Sequence, residues 1–314
     1  MVIAQGAQFA VAVLCAGGAV RLARKVRGAG TPPCYRGVLT FSTPGNGDLF
    51  SPEVVQELDL ATGQVGMRFN GLDASRTRNG ETVFLKRLAG GYYADHGIVV
   101  ADPRGVPGAP VYVCKGFSWS SNRACGTPKL APNGRLVAFA AVSGCLCHSS
   151  FGMHSGVSVS ITSRRGQEMA RFEGYADPEW LPDGRLLMMG TQCRNAGVWI
   201  TDTALQHPSR IDNDQVTTPA GAPAVSRDGR RLAFVWNNQL WSLPLVGQPE
   251  LTQLTRMTKS VTSAAWSPDG KALAVLQNDV SMPVRSVVLL RPGDQSSMVV
   301  HQLPVYPYGP LSWC

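Results

Sequence analysis

The stretch Ala264–Val275, AAWSPDGKALAV, decides the fold. An apolar strand ends at Trp266, Ser267-Pro268-Asp269-Gly270 makes a tight turn, and a second apolar strand leaves from Ala272. Asp-Gly between two apolar runs is a strong hairpin signal, because the turn needs a positive φ that Gly accepts without steric cost. The unit recurs as PAVSRDGRRLAF (Pro223–Phe234), PEWLPDGRLLMM (Pro178–Met189) and PKLAPNGRLVAF (Pro128–Phe139), and in a weaker copy as DASRTRNGETVFL (Asp73–Leu85). The turn glycines Gly80, Gly134, Gly184, Gly229 and Gly270 lie about forty to fifty-five residues apart. Repeats of that length, each worth four short strands, are the signature of propeller blades.

The two ends of the chain complete the count. Gly309-Pro310-Leu311-Ser312-Trp313-Cys314 aligns with the strand before the turn, Trp313 matching Trp266. Cys34-Tyr35-Arg36-Gly37-Val38-Leu39-Thr40-Phe41 aligns with the strand after it. Five complete hairpins and one split between the termini predict an all-β, six-bladed β-propeller over residues 34–314, closed by both ends. Closure removes the sheet edges that would otherwise template aggregation. The serial WSPDGKxLAF-type units resemble those of the TolB-type, WD-like six-bladed propellers. That resemblance implies docking of a protein on the disc face or in the channel, with no chemistry of its own. The N-terminal domain of TolB has no counterpart here.

The pattern places the strands of blade one at 37–43, 54–60 and 64–69. Those of blade two fall at 82–88, 97–101 and 109–114, and those of blade three at 136–142, 156–162 and 168–172. Blade four holds 186–190, 197–201 and a short edge near Arg210. Blade five holds 231–236, a tight Asn237-Asn238 turn and 239–243, and blade six 272–277, 286–290 and 298–302.

A hydrophobic share of 44% with 34 Gly and 22 Pro suits a turn-rich all-β domain. Residues 2–20 are apolar apart from Gln5 and Gln8 and are followed by Arg21, Arg24, Lys25 and Arg27. Residues 1–30 therefore read as a signal peptide or a membrane anchor; lipidation at Cys15 fits less well, because Leu14 stands where a small residue is expected. Five of the basic residues and none of the acidic ones lie in the first 36 positions, so of the net +8 only about +3 belongs to the propeller. That is no basic stripe for nucleic acid.

In a four-stranded blade the turn between the first two strands faces one side of the disc, and the next loop and the interblade loop face the other. The irregular loops 44–52, 89–96, 115–126, 144–155 and 191–196 thus share one face, where binding usually lives. Most of the eight cysteines gather there. Cys145-x-Cys147-His148 with Cys193 could in principle hold zinc, but it lacks the usual two-residue ligand spacing. Disulfides among Cys114, Cys125, Cys145, Cys147 and Cys193 are the plainer reading, with buried thiols the remaining one, and they place the chain in a periplasmic or other extracytoplasmic compartment. Cys34 and Cys314 align with adjacent positions of the reference hairpin, so a bridge between them is expected to latch the split blade.

There is no Gly-x-Ser-x-Gly elbow, phosphate-binding loop or Cys-x-x-Cys-His haem motif. The inner strands carry mostly Ala, Leu, Val, Trp and Pro, with Glu179 the main exception. Neither a catalytic residue nor a cofactor or metal is expected. Asp183, Asp228 and Asp269 are read as turn-forming. Tyr92, Tyr93, His96, Phe117, Trp119, His148 and Arg194 on the loop face are the candidate partner contacts, aromatics being the residues that anchor interfaces. The expected function is a non-catalytic envelope scaffold, or an accessory subunit of a membrane-associated assembly, that binds a protein partner. The alternative is a propeller lyase or hydrolase with its site at the channel mouth.

Overall fold

The computed structural model describes residues 36–44, 53–89, 95–114, 123–143, 157–256, 259–278, 285–292, 297–303 and 308–314. Their strands form six antiparallel four-stranded sheets. Blade one pairs Tyr308–Trp313, the last strand of the chain, with Val38–Pro44, Glu53–Asp59 and Val65–Asn70. The inner strands of blades two to six are Leu72–Arg76, Arg123–Leu130, Tyr175–Trp180, Gly221–Val225 and Ser260–Trp266. Each touches the next, and Tyr308–Trp313 touches both Ser260–Trp266 and Leu72–Arg76, so the ring is closed.

Closure needs both termini of the described chain. Leu39 opposes Trp313 and Thr40 opposes Ser312. Val38 N–H donates to the carbonyl of Cys314 at 2.7 Å, Cys314 N–H returns the bond at 3.0 Å, and the Trp313 indole donates to the Arg36 carbonyl at 3.0 Å. Gly37 makes this approach possible: its φ is +112°, and a Cβ there would lie 2.5 Å from the Cys314 carbonyl oxygen. The ring closes without the expected covalent latch. Cys314 is a free thiol, and its Sγ turns toward the carbonyls of Arg76 and Thr77 in blade two, 3.7 and 3.6 Å away. Cys34 lies outside the described residues.

The hydrophobic core sits between blades rather than inside any one of them. Leu39, Phe41 and Leu58 of blade one pack with Ala274, Leu276 and Val287 of blade six. Leu187, Met189 and Val198 of blade four pack with Leu232, Phe234 and Leu243 of blade five. A sheet that is apolar on both faces needs a neighbour on each side, and only a ring supplies both. Phe41, Phe84, Phe139 and Phe234 are fully buried in these layers, each contributing about 1.5–3 kcal/mol by area removed from water.

The repeated turn is tighter in chemistry than the Asp-Gly pair alone suggests. Gly270 N–H donates to the Ser267 carbonyl, and only Gly270 has left-handed backbone, with φ +68°. It is therefore a type I turn followed by a left-handed glycine. The Ser267 hydroxyl donates to Asp269 and accepts from Lys271 and Ala272 N–H, while Asp269 accepts from Lys271 N–H. Asp228 and Asp183 bond the backbone of their turns in the same way, as read from the sequence. Asn237 and Asn238 both take positive φ, 52° and 61°, the tight turn expected of blade five. The outer strand of that blade, Thr252–Gln253, is two residues long and leaves no periodicity to read. Arg123–Leu130 pairs as a strand, so it takes up the last part of the loop assigned to 115–126.

Candidate functional site

The inner strands carry more charge than their composition suggests. Each of blades two to five bulges in the middle of its inner strand, where register is lost against the second strand. The bulge residues Asp73, Thr127, Asp177 and Ala222 all have left-handed backbone, φ 46–51°. Non-glycine residues in that region store strain, and bulges re-aim side chains. Here the bulge lets a carboxylate of one blade reach the next. Asp73 accepts from Thr127 N–H at 3.1 Å, and Asp177 accepts from Ala222 N–H at 3.0 Å. Leu311 N–H donates to the Ser263 hydroxyl and Arg76 N–H to the Ser312 hydroxyl, stitching blades six, one and two.

Burial dominates the electrostatics of both aspartates. It pushes Asp73 up to about 6; the Thr127 N–H opposes this, nearby Asp177 and Glu53 add to it, and Lys129 opposes it. Asp177 is also raised, by burial first, against the pull of Ala222 N–H and Lys129. Lys129 itself bonds Glu179 at 2.6 Å, and Glu57 is shared by Arg68 and Arg76 at 2.5 and 2.8 Å. These charged groups are thus committed to one another or to backbone N–H.

Two cavities lie along the axis. One of about 200 Å³ runs past Thr127, Lys129, Asp177, Ala222, Ser263 and Leu311. The other, about 360 Å³, opens on the short-turn face and draws side chains from all six blades, among them Arg78, Lys129, Glu179, Arg227, Trp266 and Cys314. The sequence reading looked for binding on the opposite, long-loop face. Of its candidates there, Tyr92, Tyr93, Phe117, Trp119 and His148 lie outside the described residues. His96 is half-buried and pairs with Cys114 across adjacent strands, and Arg194 is exposed in the short 3-10 turn Cys193–Asn195. The structure brings neither of these into the axial cavities.

Cys114 and Cys125 form a disulfide that ties the outer strand of blade two to the inner strand of blade three, Cα to Cα 6.0 Å. Cys193 is free and exposed; Cys145 and Cys147 lie outside the described residues. Among the described residues no group of three or more His, Cys, Asp or Glu is placed to hold a metal ion, and no helix is long and apolar enough to cross a membrane. Residues 2–20 are not among them.

In fold, this six-bladed ring closed by strands from both ends is similar to the propellers of TolB proteins, as solved structures show. TolB from Acinetobacter baumannii superposes with a TM-score of 0.64 at 13% identity, covering 90% of this chain and 67% of its own. The protein in a crystal structure of a nidogen/laminin complex gives 0.57 at 12%, covering 88% and 97%. Oligogalacturonate lyase from Vibrio parahaemolyticus gives 0.52 at 12%, covering 79% and 70%. No family model and no curated protein matches the sequence. The likeness defines the fold and leaves the function to the site.

Proposed function

We propose that this chain is a non-catalytic propeller of the cell envelope that docks a protein partner, as a scaffold or as an accessory subunit of a membrane-associated assembly. One observation carries the reading. The acids and bases of the inner strands are already engaged: Lys129 by Glu179, Arg76 by Glu57, Asp73 and Asp177 by backbone N–H of the neighbouring blade. A general acid or base must be able to reach a substrate proton, and these groups hold the ring together instead. The Cys114–Cys125 disulfide supports an oxidising compartment. The neighbours include TolB and a nidogen/laminin complex, which suits docking, and also a lyase, which suits the alternative.

Docking is assigned to the loop face of blades two to four, to whose loops and loop edges the sequence gives Tyr92, Tyr93, His96, Phe117, Trp119, His148 and Arg194. The test is cross-linking and co-purification from native envelopes. The expected result is one stoichiometric protein partner, lost or weakened about tenfold on W119A together with R194A, in line with the loss of interface anchors. Partner-free monomer throughout argues against docking. Turnover of a small molecule that disappears on K129M would instead establish the enzyme.

A further inference from the structure

The short-turn mouth of the channel carries a feature that the docking reading does not use. The turn position two residues before the glycine is Pro132, Pro182 and Pro268 in blades three, four and six, but Arg78 in blade two and Arg227 in blade five. Blades two and five stand three places apart in a ring of six, so the two arginines face each other across the axis. The Arg78 guanidinium spans the mouth and donates to the carbonyl of Arg227. Arg227 Nη1 lies 3.5 Å from the carbonyl of Pro268 in blade six.

Neither arginine forms an ion pair among the described residues. Several other arginines around the ring are matched with acids: Arg164 with Glu81, Arg185 with Asp183, Arg210 with Asp212. At the mouth the second charge makes things worse rather than better, since burial first and Arg227 next lower the proton affinity of Arg78. Both groups line the 360 Å³ cavity, with Lys129 deeper inside and the indoles of Trp180, Trp266 and Trp313 on its walls. The three indole N–H groups are already spent on the carbonyls of Lys129, Ala224 and Arg36. The arginines are therefore the cations of the cavity that have no acidic partner among the described residues, each ending in a planar guanidinium fork. Such forks match the geometry of a carboxylate or phosphate, and a cavity of this size with a few convergent polar groups is typical of ligand sites.

We propose that this mouth is a binding site for an oxyanion, a carboxylate or phosphate group held between Arg78 and Arg227, with the rest of the ligand in the axial cavity. An anion placed there relieves the repulsion between the two guanidinium groups and supplies the negative charge that the carbonyls of Arg227 and Pro268 do not. Selectivity for anions follows from the two unmatched positive charges. Selectivity for size follows from the six inner strands that wall the cavity.

The experiment titrates the full chain at low ionic strength with sodium citrate and, separately, with inorganic phosphate. Tryptophan fluorescence reports occupancy because three indoles line the cavity, and calorimetry confirms it. Saturable binding of one or both anions is expected, weakened about tenfold or more in R78Q and in R227Q, as the loss of a charge-assisted bond predicts. The control R104Q, a rim guanidinium paired with Asp102, should bind as the unchanged chain does. Both substituted arginines are exposed at the mouth, and unchanged melting temperatures will show that the ring is intact. Saturation by citrate alone assigns a carboxylate ligand, and saturation by phosphate alone a phosphoryl ligand. No saturable binding of either up to about 10 mM, a bound on even weak sites, overturns the proposal. So does a double variant that binds like the unchanged chain. Neither outcome touches the protein-docking reading, which is tested on the opposite face.

Discussion

Asp73→Asn should make this propeller more stable at neutral pH and remove part of its pH dependence. The Asp73 carboxylate is held at the bulge of blade two with its pKa raised to about 6 from 3.8. A raised acid binds its proton more tightly folded than unfolded. Its favourable contribution is therefore complete below about pH 4 and is lost as the pH climbs through 6. At about 1.36 kcal/mol per pH unit, a shift of roughly two units sets an upper bound near 3 kcal/mol. Asp73 keeps part of its surface open, so solvent screening lowers the expected effect to about 1–2 kcal/mol. The facing groups are Asp177 and Glu53, which repel the anion, and Lys129 and Thr127 N–H, which stabilise it. Asparagine keeps an oxygen for the Thr127 N–H, now 3.1 Å from the carboxylate, and cannot ionise. Urea denaturation midpoints at pH 4, 5, 6, 7 and 8 test this. The two proteins should be close at pH 4, and the variant should gain progressively up to pH 7. Parallel profiles across the range, or a variant weaker at pH 7, would refute the account of the bulge.

Two further outcomes are expected. Replacing Cys114 and Cys125 by serine opens a link between residues eleven apart in sequence and should cost about 2–3 kcal/mol by the loop-entropy relation, read as a lower denaturation midpoint that reductant no longer shifts. Gly37→Ala drives a Cβ into the Cys314 carbonyl at a backbone angle that side chains rarely adopt. It should destabilise by about 2 kcal/mol or more, and faster amide exchange within 308–314 and 38–44 before other blades would localise the damage to the closing blade.

Much of the architecture was legible in the chain because it rests on local rules. A Ser-Pro-Asp-Gly turn is stabilised by atoms within five residues of one another, as Ser267 and Asp269 show, so its signal is contained in the short stretch that forms it. Repetition then counts the blades, and the split hairpin at 37–41 and 309–314 names the closing strand. The Cys114–Cys125 bridge was open to inference from two cysteines flanking one loop. The latch expected between Cys34 and Cys314 went further than alignment allows, because alignment places backbones but not side chains, and Cys314 is a free thiol. Cys314 Sγ turns toward blade two, where burial holds the thiol protonated and the carbonyls of Arg76 and Thr77 accept from it.

The sequence by itself determined the fold class, the number of blades and the way the ring closes, since each follows from periodicity and turn chemistry. Only the tertiary structure decided where the charge lies. Asp73 and Asp177 look like ordinary turn-flanking residues in the chain, yet the bulge aims them into the neighbouring blade. Arg78 and Arg227 stand nearly half the chain apart at the same position of two repeats, yet only the ring sets them face to face over the axis. Such contacts depend on the rotation between blades, a property of the packed layers of Phe, Leu and Val between sheets that no single repeat contains.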